Sequence, residues 1–293
     1  MDLGNLNQNK LRIVNKILGL TLLALGAGSV HAERFHCPQD TAVGMAIIRE
    51  FSTPGGDPAE LCAAIAAKFV GTPYEEVTKE DTLGVAELRF DAFDQFSFVN
   101  SVAALARTAT SPGVLLPRDI ETALEKMSFR HGEADGFPSR MLYGGDWAID
   151  NKARKNVREL TEDYSDQFKT KSLTWVTRHR QEYPALADSA TYERQRMLEM
   201  GFRTMKIPHM KRESTEWKEI ASELRDGDLI MLLTNNPDKD IYDMGYLVKR
   251  ADGMHLIHAS EAAGKVVEEP ETIGRFIRKR AKEIYGWRWF RIL

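Results

Sequence analysis

The sequence predicts an α+β fold with helices first and an antiparallel sheet last. Three observations carry it. Residues 94–107 set Phe98, Val102 and Leu105 at helical spacing behind a capping Asp94, with Val99 and Ala106 widening the apolar stripe, so one face should be buried. Residues 229–233, Leu-Ile-Met-Leu-Leu, form an apolar run of strand length. Residues 242–249 and 254–259 flank Arg250-Ala251-Asp252-Gly253, whose Asp-Gly pair signals a hairpin. With 293 residues, 43% of them hydrophobic, the chain can bury one sizeable core, and a single domain is expected over residues 33–293.

The first residues read as a targeting segment. Lys10, Arg12 and Lys16 precede an apolar run at 17–25 and the small-residue site Val30-His31-Ala32, which describes a secretory signal peptide over residues 1–32. Its apolar run is too short to span a bilayer, so no transmembrane anchor is expected after cleavage. Removing its three basic residues and its one acid, Asp2, takes the formal net charge from −3 to −5. The mature protein is expected in a bacterial periplasm or outside the cell. Near-balanced charge leaves no nucleic-acid footprint. Arg275, Arg278, Lys279, Arg280 and Lys282 share their segment with Ile273, Phe276 and Ile277 and read as a solvated helix face. Cys37 and Cys62 can form one disulfide in an oxidising compartment; the alternative is that Cys62 is a small buried residue on its helix.

The remaining elements follow in order. Helices are expected at 41–51 and at 58–69, the second with Pro58 in its first turn, separated by a turn with paired glycines. A loop runs to about Gly84 and ends this helical part, 33–84. Residues 85–90 read as a short strand, 118–127 as a helix, and 131–151 as a long irregular segment rich in Arg, Tyr and Trp, a composition typical of functional loops. Residues 156–223 read as mostly helical. Short strands are expected at 265–267 and 286–293.

No Gly-rich phosphate loop, Cys-x-x-Cys pair or His-Glu-x-x-His motif is present, so neither cofactor nor metal is expected. His255 and His258, three apart on a strand, fall on opposite faces and are poorly placed to share a metal. The N-terminus of the 94–107 helix favours an anion or a thiolate, yet Gln95-Phe96-Ser97 supplies no nucleophile.

Gly71-Thr72-Pro73-Tyr74, the Asp94 helix with Phe98-Val99, Ser139-Arg140 with Tyr143 and Asp146-Trp147, Gly227-Asp228, Gly245, and Ile257-His258-Ala259-Ser260 with Lys265-Val266-Val267 fall in a telling order. In this order the chain resembles the N-acetylmuramoyl-L-alanine amidase-like proteins, a branch of the NlpC-type, papain-like cysteine peptidase superfamily. The resemblance runs from about Asp57 to the C-terminus. It implies a papain-like core over 85–293, with N-terminal helices packed on the sheet, in which a helix-opening cysteine is activated by a histidine and a third polar group orients that histidine. Cell-wall peptides are the usual substrates.

At the positions carrying that chemistry this chain departs from the family. Where the family helix opens Asp-Cys-Thr-Thr-Phe-Val-Glu, the chain reads Asp94-Gln95-Phe96-Ser97-Phe98-Val99-Asn100, so Gln95 stands at the nucleophile position. Where the family strand reads Ser-His-Val-Gly, the chain has Tyr242-Asp243-Met244-Gly245, and Asp243 replaces the base. Leu142 stands where the family often has His before the Tyr. His258 matches the third polar position. The resemblance with these losses implies an exported pseudoenzyme that binds muropeptide or peptide without hydrolysing it. Tyr74, Ser139, Arg140, Tyr143, Asp146 and Trp147 are its expected groove residues. Two alternatives stand beside it: an altered hydrolase using Asp243 and His258, and an envelope protein with an interaction or structural role.

Overall fold

The computed structural model describes residues 38–293 apart from position 217. The expected signal peptide and Cys37 lie outside the described residues. Four helices of more than one turn open the fold, α1 (Pro38–Phe51), α2 (Pro58–Lys68), α3 (Gln95–Thr110) and α4 (Pro117–Ser128), with a single helical turn at Val77–Glu80 between α2 and α3. Asp57 caps α2 by accepting a hydrogen bond from the Ala59 amide at 2.9 Å, with Pro58 in the first turn where its missing N–H costs nothing. The expectation of one buried face on α3 is too small. Ala103, Ala104, Ala106 and Ala109 are as buried as Phe98, Val102 and Leu105. Their small side chains let α1, α2 and α4 close on every side of α3, making it the central helix rather than an amphipathic surface one.

The strands are β1 (Val157–Glu159), β2 (Phe168–Lys171), β3 (Met205–Pro208), β4 (Met210–Lys211), β5 (Leu229–Thr234), β6 (Ile241–Arg250), β7 (Gly253–Ser260), β8 (Lys265–Thr272) and β9 (Ile284–Ile292). Seven make one antiparallel sheet in the order β1-β9-β5-β6-β7-β8, with β4 also on β9; β2 and β3 pair apart. The Asp252-Gly253 hairpin closes where expected, with Arg250 opposite Gly253.

Alternation along the strands separates two apolar layers. Met231, Met244, Tyr246 and Ile257 join Phe98, Val99 and Val102 of α3 in one core. Ile230, Leu232, Leu247, Leu256, Trp287 and Trp289 form the other with Phe276 and Ile277 of α7 (Ile273–Lys279). Each such buried side chain contributes about 1.5–3 kcal/mol. Tyr246, fully buried, donates its hydroxyl to the Val99 carbonyl at 2.8 Å and so fastens β6 to α3. Arg275, Arg278 and Lys279 lie on the exposed side of α7, whereas Arg280 and Lys282 follow the helix and the Arg280 guanidinium packs over the Phe276 ring.

Three expectations are corrected. Residues 85–90 alternate in burial as a strand would, but they join no sheet. The segment 131–151 is not irregular throughout, because it holds most of α5 (Gly144–Ala153). A Cβ on Gly144 would overlap Ile241, and one on Gly145 would overlap Met205, so this glycine pair reflects close packing rather than a loop. Residues 156–223 contain β1 to β4 as well as α6 (Ser189–Gly201). β1 and β4 are short and find their partner only in the distant β9, Val157 facing Ile292 and Met210 facing Trp287.

Candidate functional site

The site is organised around the start of α3. The Asp94 carboxylate accepts from the Ser97 amide at 2.8 Å with one oxygen, and from the Thr78 amide and hydroxyl at 2.5 and 2.6 Å with the other. Ser97 Oγ accepts from the Asp94 amide at 2.9 Å, completing a reciprocal capping box. This fixes Gln95 as the first helical residue and commits Ser97 to the cap. Gln95 Nε2 donates to the Tyr242 carbonyl at 3.1 Å. Tyr242 is the extra residue of a β-bulge, since Leu232 faces Asp243 while Leu233 faces Ile241.

Asp243, next along β6, meets His258 of β7. His258 Nδ1 lies 2.7 Å from Asp243 Oδ2, and Nε2 donates to Glu269 Oε1 of β8 at 2.9 Å. The Asp243 oxygen lies off the axis of the Nδ1–H bond, so this contact is a close ion pair rather than an aligned hydrogen bond. The Met244 amide donates to the other Asp243 oxygen at 2.8 Å. The His258 ring packs edge-on against Phe276, 5.7 Å between centroids. His258 is 1% exposed and Asp243 6%, so both sit behind the cleft rather than in it. Burial opposes the imidazolium, but the Asp243 and then the Glu269 carboxylate outweigh it and raise the His258 pKa to about 9. At neutral pH the ring is a cation with a carboxylate beside each nitrogen, leaving no lone pair to accept a proton.

The cleft itself has a volume of about 260 Å³ and is lined by Gln95, Phe96, Tyr74, Tyr143, Trp175 and Lys239, among others. Its far wall is held by a buried network. The Tyr143 hydroxyl donates to Glu199 at 2.7 Å and accepts from the Val176 amide at 3.0 Å, and Glu199 also accepts from the Thr177 amide at 3.2 Å. Lys239 Nζ lies 4.8 Å from the centroid of the Trp175 ring. Buried Lys171 donates to the carbonyls of Thr234, Asn236 and Lys239, shaping the loop that presents Lys239; burial lowers its pKa to about 8. Asp240 caps α5 by accepting from the Gly144 and Gly145 amides at 3.2 and 2.6 Å, and burial raises its pKa. Tyr74, opposite, has its pKa raised by burial and then by the carboxylates of Glu76 and Asp94.

Of the six expected groove residues, the structure brings Tyr74 and Tyr143 to the Gln95 cleft. The other four lie elsewhere. Ser139 Oγ accepts from the Asp135 amide at 2.9 Å and donates to the Gly136 carbonyl at 2.7 Å. Arg140 donates to Asp81 at 2.9 and 2.6 Å and to the Val85 carbonyl, and stacks over Phe129. Asp146 pairs with Arg130. Trp147 is fully buried and donates to Asn100 at 2.8 Å. These polar and aromatic groups fasten their segment to the core. Cys62 is a free, buried thiol whose pKa is raised by burial, and it donates to the Pro58 carbonyl. Sequence reasoning missed Trp175, Lys239, Lys171, Glu199 and Glu269. Only Lys239 carried a signal, the Asn235-Asn236-Pro237-Asp238 turn that precedes it. Among the described residues, no group of three or more His, Cys, Asp or Glu side chains is placed to hold a metal ion, and no helix is long and apolar enough to cross a membrane.

Residues 64–282 match the model of the AmiA-like family, described as N-acetylmuramoyl-L-alanine amidase-like. The chain belongs to that family. An N-acetylmuramoyl-L-alanine amidase from Bacteroides uniformis has the same fold at a TM-score of 0.73 and 22% identity, over 81% of this chain and 99% of that one. A provisionally named xylanase from Bacteroides fragilis matches at a TM-score of 0.72 and 26% identity, over 78% and 100%. A Legionella pneumophila protein matches at a TM-score of 0.66 and 18% identity, over 87% and 95%. No curated protein matches the chain.

Proposed function

We propose that this family member is an exported pseudoenzyme with a papain-like, NlpC-type core, which binds cell-wall muropeptide or peptide in the Gln95 cleft without hydrolysing it. The observation that carries the reading is the state of the helix start. At the site where the helix dipole would favour a thiolate stands a neutral amide, its donor held by the Tyr242 carbonyl. The His258 imidazole, at the third polar position, is a buried cation held between two carboxylates. An altered hydrolase built on Asp243 and His258 is disfavoured by the same geometry, since neither lines the cleft. The cleft retains the means to bind. Tyr74, Phe96 and Trp175 offer faces to sugar or peptide, and Lys239 offers a cation to a carboxylate. An interaction role in the envelope is favoured by one observation, the exposed Met197 and Met200 on α6 at 58% and 43%.

Titration calorimetry of the mature protein with defined muropeptides tests the reading. Saturable binding weakened at least tenfold by Trp175→Ala, with no release of amino groups on prolonged incubation, is the expected result. Absence of heat at millimolar ligand would leave the interaction role, and turnover abolished by Asp243→Ala would revive the hydrolase.

A further inference from the structure

Lys171, at the end of β2, is 4% exposed and forms no ion pair among the described residues. Its ammonium has three donors, and each meets a backbone carbonyl of one turn: Thr234 at 2.5 Å, Asn236 at 2.5 Å and Lys239 at 2.8 Å. Thr234 ends β5 and Ile241 opens β6, so the connection between the two strands is folded into a cage around a single cation. Burying a charge in this way is costly, and an apolar side chain would fill the same space without that cost. β2 pairs only with β3, Lys171 facing Met205, so the ammonium carries no part of the seven-stranded sheet. Its bonds act on the turn.

The turn delivers one side chain to the Gln95 cleft. The Asp238 carbonyl accepts from the Thr174 and Trp175 amides at 3.1 and 3.2 Å, and the Asp240 carboxylate accepts from the Gly144 and Gly145 amides. Between these anchors stands Lys239, its carbonyl bonded to Lys171 and its Nζ over the Trp175 ring. Of the two lysines that line the cleft, Lys79 pairs with Glu182 at 2.9 Å, whereas Lys239 forms no ion pair among the described residues. Lys239 is therefore the cation left for a ligand. We propose that Lys171 is a positioning residue for this cleft: by gathering the Thr234, Asn236 and Lys239 carbonyls about its ammonium, it holds Lys239 over Trp175, where a ligand carboxylate is received. Receipt of a carboxylate rests on the binding role proposed for the cleft, whereas the placement of Lys239 does not.

Proton–carbon NMR of the mature protein carrying isotope-labelled lysine tests it, with the Lys239 ε-methylene signal assigned by its loss in Lys239→Met. In the wild type that signal should lie upfield through the Trp175 ring current, and in Trp175→Leu it should move to the position of exposed lysines. Lys171→Met, which keeps the reach of the side chain and removes its charge, should move the signal in the same way. Lys171→Ala should do so too and be restored by propylammonium, which supplies the deleted atoms with their charge, but not by n-propanol, which supplies only the bulk. Titration calorimetry with N-acetylmuramoyl-L-alanyl-D-glutamate and its diamide gives the ligand readout: Lys171→Met should weaken the acid at least tenfold and the diamide less than twofold. A Lys239 signal unmoved in Lys171→Met, restoration by propanol as well as by propylammonium, or equal weakening of acid and diamide would overturn the proposal. Loss of the folded spectrum in both Lys171 variants would overturn it too, by showing that the ammonium holds up the whole fold. Absence of binding by the wild type would instead overturn the binding role of the cleft, with the Lys239 signal still deciding the part played by Lys171.

Discussion

His258 Nδ1 stands 2.7 Å from Asp243 Oδ2, the two side chains projecting from neighbouring strands behind the α3 start. Glu269 holds the other nitrogen, so a single imidazolium joins β6, β7 and β8. Removing one member of such a buried cluster leaves an uncompensated charge, at a cost of about 3–5 kcal/mol. His258→Ala should therefore lower the chemical-denaturation stability by that amount. A loss below 1 kcal/mol would show the cluster to be energetically idle.

The same cluster sets a pH dependence. The His258 pKa is about 9 in the folded state against 6.5 for the free side chain, so folding takes up a proton between these values. The stabilisation is complete below about pH 6.5 and is lost as pH rises through about 9. The Glu269 pKa is lowered, first by its hydrogen bond to His258, so its contribution is present above its unfolded value and lost on acidification. Melting temperature measured from pH 6 to 10 should fall across the upper window, and His258→Gln should flatten that fall.

Gly245 sits opposite His258 in the β6–β7 ladder, and a Cβ there would overlap the Ile257 carbonyl and His258. The obstacle is backbone, which cannot turn aside as a side chain can. Gly245→Ala should cost about 1–3 kcal/mol through overpacking and should lower the pH at which the alkaline stability loss begins. An unchanged melting curve would contradict the close approach of the two strands.

Much of the architecture was legible wherever the signal was local. Asp94 before an apolar stripe announced α3, and Asp252-Gly253 announced the hairpin that sets Asp243 near His258. What was hidden depends on partners far along the chain. Nothing near Val157 shows that Ile292 will pair with it, and the alternation of residues 85–90 is genuine although no strand receives it. Arg140, Asp146 and Trp147 are expected in the groove because they stand in motifs that carry the family resemblance, in a segment rich in Arg, Tyr and Trp. Their partners Asp81, Arg130 and Asn100 can be identified only once the chain has folded.

Cys62 offers a test that does not involve the cleft. It is fully buried with its pKa raised, and its thiol is free. A thiol reagent should label it only when the protein unfolds, and reducing agent should leave the melting temperature of the mature protein unchanged. A fall in that temperature on reduction would reveal a bridge to Cys37.

The last prediction follows from the position of Gln95. Its backbone is set by the capping box that Asp94 and Ser97 form, and that box uses no atom of the Gln95 side chain. Gln95→Cys should consequently fold and place a thiol at the helix start, where the dipole lowers its pKa. Alone it should release nothing from muropeptides, because His258 is charged and faces carboxylates on both sides. Adding Asp243→His removes one of those carboxylates and supplies a second imidazole one residue from the Tyr242 carbonyl that holds Gln95. Measurable release of amino groups from the double variant, absent from both single variants, is expected if the cleft binds muropeptide in a hydrolysable pose. A double variant that binds muropeptide but stays inactive would show that the cleft holds its ligand away from the helix start.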